Sequence, residues 1–293
     1  MKRLGAFAAM GILLLSGCRR AGDLSPAEVL QRSMAASAQL QSVDYEGTAS
    51  LSQATSAMTL QTTAKLQGTL SHGGQQTSFS ADIEGTTKHA GQPAKAFHLL
   101  GDVVSESQNL FVRARTVSPE LLPSGAGQEV INVWWSIPGA EPSSVQSLTP
   151  DPQFLRAQAS VVTVTGDKGL DSINGRDAYR YAVTIDPERL VALMKSTAEQ
   201  QGKPFDPVTA RGQFARYDTI GELWIDAETF FPHRLQWTIT SKGDPPSERM
   251  GFTVDLRHHN AAAPIILPEN PQVLDTGLLE NILSTVPTIP FFR

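Results

Sequence analysis

The sequence predicts an α+β protein built on one large antiparallel sheet of about 10–11 strands, with helices covering one face. Short segments that alternate apolar and polar residues recur through most of the chain, and turn residues separate them. Two longer segments, near residues 25–40 and 187–200, have the apolar spacing of helices. Strands and helices do not alternate regularly along the chain, so a parallel nucleotide-binding sheet is not expected.

The first half of the chain predicts one helix followed by a threonine- and serine-rich meander. Ser25-Pro26-Ala27-Glu28 is a capping-box pattern with proline at the first helical position, so a helix is expected to about Leu40. Alternation then predicts strands around Tyr45–Leu51, Leu60–Leu66, Phe79–Ile83, Ala94–Asp102, Asn109–Val117 and Val133–Ile137. Residues 118–130 and 138–152 are expected to be loops, with a short helix near Pro152–Ala157.

The second half alternates more clearly. Strands are expected at Val161–Thr165 and Ala178–Ile185, with an Asn174-Gly175 turn before the second. A helix from Pro187 to about Gln200 and a loop from Gly202 to Arg211 follow. The last three strands are expected at Glu222–Asp226, Arg234–Thr240 and Arg249–Arg257, each with an apolar stripe on one face. The proline-rich tail, 261–293, is expected to be irregular, with one helical turn near Leu278–Leu283.

Residues 1–17 have the parts of an export signal: a positive head, an apolar stretch and small residues. The apolar stretch is well short of the roughly 20 residues that span a bilayer as a helix. Leu15-Ser16-Gly17-Cys18 resembles the lipobox of bacterial lipoproteins, a resemblance that implies acylation of Cys18 after the signal is removed. Residues 18–24 are then a lipidated tether. In the alternative, Cys18 only ends an ordinary secretory signal.

Composition excludes several classes of protein. Removing residues 1–17 takes away Lys2 and Arg3 and no acid, so the formal net charge falls from −5 to −7. A mildly acidic chain argues against a nucleic-acid surface and against a broad electrostatic grip on anionic lipid. Cys18 is the only cysteine, so neither an internal disulfide nor a cysteine metal site is expected.

The order of motifs resembles a known superfamily. It is carried by Gly166–Ile185 (GDKGLDSINGRDAYRYAVTI), the helix after it, Gly221–Asp226 (GELWID), Phe231–Leu235 (FPHRL) and the strand Phe252–Leu256. Together with the lipobox and the first helix, these segments resemble the LolA/LolB-like superfamily, and within it the LppX/LprG-type lipoproteins. The resemblance covers residues 25–268, and leaves 269–293 as a proline- and leucine-rich tail.

The resemblance implies a curved antiparallel half-barrel whose mouth is covered by helices, with acyl chains held between the sheet and the helices. The alternation independently predicts an apolar wall for such a space, because a sheet with one apolar face must cover that face. The candidate ligand-binding residues of the wall are Tyr179, Tyr181, Val183, Leu223, Ile225, Leu235, Trp237, Ile239, Phe252 and Val254. The same residues are also what an ordinary packed core would contain.

Catalytic and metal sites are not expected. The chain lacks the short motifs of zinc proteases, serine hydrolases and phosphate-binding loops. His258 and His259 are adjacent on a strand end, so their side chains are expected to point to opposite faces rather than to one metal ion. Asp226 and Glu228 are expected to serve a turn rather than acid–base chemistry. The resemblance likewise implies no catalytic residue, no cofactor and no metal.

The sequence therefore predicts a non-enzymatic lipoprotein that binds or carries lipid or lipoprotein acyl chains in a hydrophobic cavity. Its partners would be acyl chains, the membrane through Cys18 and an envelope protein. Its place would be the cell envelope, facing the periplasm or the cell exterior. The alternative is a structural or regulatory envelope lipoprotein that binds a protein partner, in which case the protein's own side chains should fill the cavity.

Overall fold

The computed structural model describes residues 24–107, 109–121, 130–138, 152–200, 202–243 and 246–274. The expected signal, Cys18, most of the tether and the expected turn near Leu278–Leu283 lie outside these residues. The helices are α1 (Pro26–Ser37), α2 (Pro152–Val161), α3 (Pro187–Gln200) and α4 (Pro207–Phe214), with short 3-10 turns at His72–Gly74 and Pro119–Leu121. The strands are β1 (Val43–Ala54), β2 (Met58–Ser71), β3 (Gln76–His89), β4 (Lys95–Glu106), β5 (Asn109–Val117), β6 (Trp135–Pro138), β7 (Val162–Ile173), β8 (Arg176–Ile185), β9 (Tyr217–Asp226), β10 (Pro232–Ser241), β11 (Glu248–Arg257) and β12 (Gln272–Val273).

All twelve strands belong to one sheet, in the order β12-β6-β5-β4-β3-β2-β1-β11-β10-β9-β8-β7. Every pair is antiparallel except β12 with β6, which is parallel. Pairing of β1 with β11 joins an N-terminal meander to a C-terminal one. The sheet is open, with β12 and β7 at its edges, and curves into a half-barrel, which confirms the predicted fold class.

Helix α1 begins as predicted. The Ser25 N–H donates to a carboxylate oxygen of Glu28 at 2.9 Å, and the Glu28 N–H donates to the Ser25 hydroxyl at 3.3 Å. These reciprocal bonds satisfy backbone donors that a helix start otherwise leaves unpaired. Val29, Ser33 and Ser37, spaced by four residues, form its buried side.

The predicted loop at 202–211 is wrong in its second half, because α4 begins at Pro207. The Asp206 carboxylate accepts the Val208 N–H at 2.9 Å and so caps the helix, while Pro207 fits the first turn.

Three further element boundaries differ from those that the sequence predicts. Helix α2 runs on to Val161, β7 continues to Ile173 through two register shifts, and the short aromatic strand begins at Trp135.

The segment after β11, here called the strap (residues 258–271), connects the middle of the sheet to its edge at β12. The Asn260 side-chain oxygen accepts the N–H groups of Gln41 at 2.6 Å and Ser42 at 3.4 Å, which fixes the start of the strap. Directly after the strap, the Gln272 N–H donates to the Trp134 carbonyl and the Leu274 N–H to the Ser136 carbonyl of β6, both at 2.9 Å. The strap therefore crosses the ends of the strands that lie between β11 and β6.

Candidate functional site

The ten predicted wall residues lie on one face of the sheet, here called the inner face. Register pairs Tyr181 with Leu223, Leu223 with Leu235, and Leu235 with Val254, so their side chains point the same way. Seven of the ten are buried: Tyr179, Tyr181, Val183, Leu223, Ile225, Leu235 and Trp237. The other three, Ile239, Phe252 and Val254, are only half-buried. The inner face thus has a closed part and a partly open part.

The partly open part continues onto strands where no site residue was predicted. One row of paired inner-face residues runs from Trp237 through Phe252 and Ala49 to Ala64 and Ile83. The neighbouring rows of paired residues, on both sides of this one, extend the same apolar surface. We call the half-buried apolar residues of these rows the inner trough: Ala49, Leu51, Ala64, Leu66, Ala81, Ile83, Leu99, Ile239, Met250, Phe252 and Val254.

Small residues make up part of the floor of the inner trough, between larger ones such as Leu51, Leu66 and Ile83. Gly47, Ala49, Ala64 and Ala81 lie on the three central strands β1, β2 and β3. Gly47 itself is buried, and a methyl group added there would be in ordinary van der Waals contact, 3.6 Å from its nearest neighbour. The trough spans about five inter-strand steps of roughly 4.8 Å, or about 24 Å, from β10 to β4.

The closed part is packed by the protein's own side chains. Val29 of α1 and Leu155 of α2 join one buried cluster with Tyr45, Tyr181 and Leu223. Between these helices and the sheet remains a cavity of about 20 Å³, bordered by Trp237. That volume holds about one water molecule. The hollow expected beneath the helices is therefore filled in this conformation.

A polar group marks the far end of the inner face. The Gln53 amide donates to Glu248 at 2.8 Å, and the Tyr217 hydroxyl donates to the other oxygen of the same carboxylate. Burial, followed by the hydrogen bond to Glu248, raises the pKa of Tyr217 to about 12. This group closes the last apolar row, because Leu51, Ile239 and Met250 border it.

Two tyrosine hydroxyls are buried in the closed part without a hydrogen-bond partner. They belong to Tyr45 and Tyr181, whose side chains are almost fully buried. Burial raises the pKa of both phenols well above the usual range. A buried hydroxyl without a partner costs free energy, so these two groups weaken the packed end of the sheet.

The residues that the sequence offers as candidates for acid–base chemistry or metal binding have structural contacts instead. The Asp226 carboxylate accepts the N–H groups of Glu228 at 3.0 Å and Thr229 at 2.6 Å, so it holds the turn, as predicted. Burial alone would raise its pKa, but the hydrogen bonds from Arg176, Thr229 and Glu228 outweigh burial and hold the pKa well below the usual range. His233 lies 3.2 Å from the same carboxylate.

The two adjacent histidines contact different partners. His258 binds the Asp44 carboxylate at 2.7 Å, whereas His259 stacks on Phe231 and lies 2.9 Å from the Pro232 carbonyl oxygen. Neither belongs to a group of three potential metal ligands within the described ranges.

The opposite face of the sheet, here called the outer face, carries many charged side chains and one small buried cluster of Ile173, Ala178 and Trp224. Several ion pairs lie on it, and Trp224 lies against the guanidinium groups of Arg180 and Arg234 at 4.9 and 5.7 Å. A cavity of about 550 Å³ lies between this face and the strap, bordered by Asp44, Asp102, Trp134 and Ile266 among others. No helix among the described residues is long and apolar enough to cross a membrane.

Comparison with known proteins gives structural likeness only. No protein-family profile matches the chain, and no curated protein matches it. Among solved structures, it is similar to the lipoprotein LppX of Mycobacterium tuberculosis (13% identity, 83% of this chain and 100% of that one, TM-score 0.39). It is also similar to LprF of Mycobacterium bovis (17% identity, 84% of this chain and 98% of that one, TM-score 0.39). A third similar structure is a LolA superfamily protein of Nitrosomonas europaea (9% identity, 84% of this chain and 96% of that one, TM-score 0.23). These are the kinds of protein that the sequence resemblance named, and at such values the likeness says nothing about a ligand.

Proposed function

We propose that this chain is a membrane-anchored lipoprotein that binds acyl chains of a lipid or lipoprotein along the inner trough, without catalysis. The observation that carries the proposal is the half-buried apolar surface that continues from Val254 and Phe252 across Ala49, Ala64 and Ile83. Contiguous apolar surface that stays partly open to water indicates a binding surface.

Acyl chains fit the trough by chemistry and by size. Apolar residues make up most of its rows, with Thr62 next to Leu51 as an exception, and the polar Gln53–Glu248 pair lies beyond them. Burying methylenes is favourable by about 0.8 kcal/mol each, so ten of them would contribute on the order of 8 kcal/mol before the costs of ordering. Affinity of this kind needs no charged group.

The filled end offers a way to enlarge the site. Trp237 borders both the small cavity beneath α1 and the row of the trough that contains Phe252. Outward movement of α1 and α2 would therefore extend the trough under the helices and expose more apolar wall. The unpartnered hydroxyls of Tyr45 and Tyr181 lower the cost of such opening, because water would satisfy them.

The envelope location rests on the N-terminal sequence. Acylation of Cys18 would tether the domain to a membrane, and two or more acyl chains give stable anchoring where one is marginal. The tether would hold the trough close to the acyl chains that it binds. We place the protein on the periplasmic or exterior side of that membrane.

The direct test is mass spectrometry of lipid that co-purifies with the Cys18→Ala protein, followed by titration with a fluorescent fatty acid. Ala64→Phe places a ring on the trough floor; if it displaces about four methylenes, affinity falls by about 3 kcal/mol, or roughly 100-fold. Thr63→Phe is the matched control, because the neighbouring side chain points to the outer face.

A second function is favoured by the filled end. Packing of Val29, Leu155 and Tyr181 beneath the helices is what a structural or regulatory lipoprotein with a protein partner would have. Lipid-free protein, together with equal and negligible fatty-acid binding by the parent, Ala64→Phe and Thr63→Phe proteins, would favour that function and overturn the acyl-chain proposal.

A further inference from the structure

The outer face of β3 and β4 carries three potential metal ligands that the proposed function does not use. They are Asp82, Glu84 and His98, and their ligand atoms all lie within 4.8 Å of one another. We propose that these three side chains bind a divalent transition metal ion of the zinc type, with a further coordination position open to water.

The sheet itself places the three ligands together. Asp82 and Glu84 are two residues apart on β3, so their side chains point to the same face. Register pairs Glu84 directly with His98 on β4. The imidazole also reaches diagonally, and its Nε2 lies 2.8 Å from an Asp82 carboxylate oxygen.

The backbone of His98 is fixed on the side away from the carboxylates. Its N–H donates to the Ser118 hydroxyl at 2.7 Å, and its carbonyl accepts the Ser118 N–H at 2.9 Å. Two paired strands and this double contact hold the ligands on a rigid element, so little ordering is needed when an ion binds.

Neither carboxylate forms a close ion pair with Lys or Arg in the described part of the chain. Within the described ranges, no Lys or Arg nitrogen lies within 4.0 Å of either carboxylate, although Lys65 is paired with Asp82 across β2 and β3. Other acids of the outer face do have such a partner: Asp102 pairs with Arg113 and Asp255 with Arg234, each at 2.6 Å. A divalent ion would compensate the two carboxylates of Asp82 and Glu84.

The ligand types select the class of ion. One imidazole nitrogen with two carboxylate oxygens is a ligand set that zinc accepts, with water completing the coordination. Calcium and magnesium prefer all-oxygen sites, so the imidazole disfavours them. The site is accessible to ions, since the side chains of Asp82 and His98 are each 38% exposed.

The site lies on the opposite face from the inner trough, so metal binding and acyl-chain binding are separable. Ile83, which belongs to the trough, lies between Asp82 and Glu84 in sequence and points the other way. The metal proposal therefore does not depend on the proposed function, and neither result decides the other.

The test is calorimetric titration of zinc chloride into the chelator-treated Cys18→Ala protein, which removes the lone thiol as a competing ligand. We expect one equivalent to bind with micromolar affinity, and His98→Ala and Glu84→Gln each to weaken binding more than about tenfold. His89→Ala is the matched control, because His89 lies on β3 with Asp82 and Glu84, is exposed and is outside the group. Cobalt should give a visible spectrum that His98→Ala loses.

Glu84→Gln keeps the size of its side chain, so a loss of binding in this variant cannot come from misfolding when the unfolding curve is unchanged. The proposal would be overturned if no zinc bound at concentrations up to about 100 μM. Equal zinc binding by the parent and His98→Ala proteins would overturn it as well.

Discussion

Acidification should destabilise the protein through His259, at the start of the strap. Its ring stacks on Phe231 with centroids 4.8 Å apart and lies 5.1 Å from the ring of His233. Its Nε2 is 2.9 Å from the Pro232 carbonyl oxygen, so this nitrogen carries the proton and donates. Burial is the main reason that the pKa of His259 is lowered from 6.5 to about 4.

The size and sign of the effect follow from proton binding. A folded pKa below the unfolded one means that the unfolded chain takes up the proton first, so stability falls as the pH falls. The contribution of His259 is fully present above pH 6.5 and is lost as the pH approaches about 4. At 1.36 kcal/mol per pH unit, the loss amounts to about 3 kcal/mol at most. Burial lowers the pKa of His233 too, which adds in the same direction.

The assay is urea unfolding of the parent and His259→Phe proteins between about pH 7 and pH 4. The phenyl ring preserves the stack on Phe231 but cannot titrate, and loss of the Pro232 hydrogen bond should cost about 1 kcal/mol at neutral pH. We expect the parent to lose more stability than the variant, by up to about 3 kcal/mol. His89→Phe, at an exposed histidine, should behave as the parent does. An equal loss in the parent and His259→Phe proteins would refute the reasoning.

Three further predictions concern the stability of the fold. Tyr45→Phe should raise the free energy of unfolding by about 1 kcal/mol, because it removes a buried hydroxyl without a partner; a lower value in urea unfolding would show that the hydroxyl is satisfied. Gly221→Ala should cost about 1–3 kcal/mol, because the added methyl would lie 2.6 Å from the Trp237 ring, while Gly47→Ala should leave the melting temperature nearly unchanged. Ser25→Ala should cost about 1 kcal/mol through the lost cap of α1, and an unchanged melting curve would contradict that role.

The late strands were predictable because large apolar residues alternate there with charged and polar ones. Leu223, Leu235 and Phe252 each follow this rule, and the register aligns them on one face. In β1–β3 the alternation is between small or apolar residues and threonine or serine, a weaker contrast. Leu66 and Ile83 were therefore assigned to strands but not to the candidate site.

The pairing of strands that are distant in the chain leaves no local signal in the sequence. Contact of β1 with β11 joins residues about two hundred positions apart, and the two-residue strand β12 is too short for any periodicity. The strap also depends on a distant contact, Asn260 with the chain before β1. The start of α4 is different, because a local signal exists there. Asp206-Pro207 is a typical helix start, with a capping aspartate before a proline, so the helix was predictable although the segment is expected above to be a loop.

Side-chain size decides which part of the inner face is closed. Near α1 the inner face carries Tyr45, Phe79 and Tyr181, which fill the curve of the sheet and leave little space. Further along the central strands the inner positions include Ala49 and Ala64, and the larger residues beside them, such as Leu66 and Ile83, are only half-buried. Larger apolar residues there would bury more surface, at about 25 cal/mol per Å², and would stabilise the fold. Under the proposed function, this apolar surface is left half-buried for the ligand, and binding of an acyl chain would supply the missing burial.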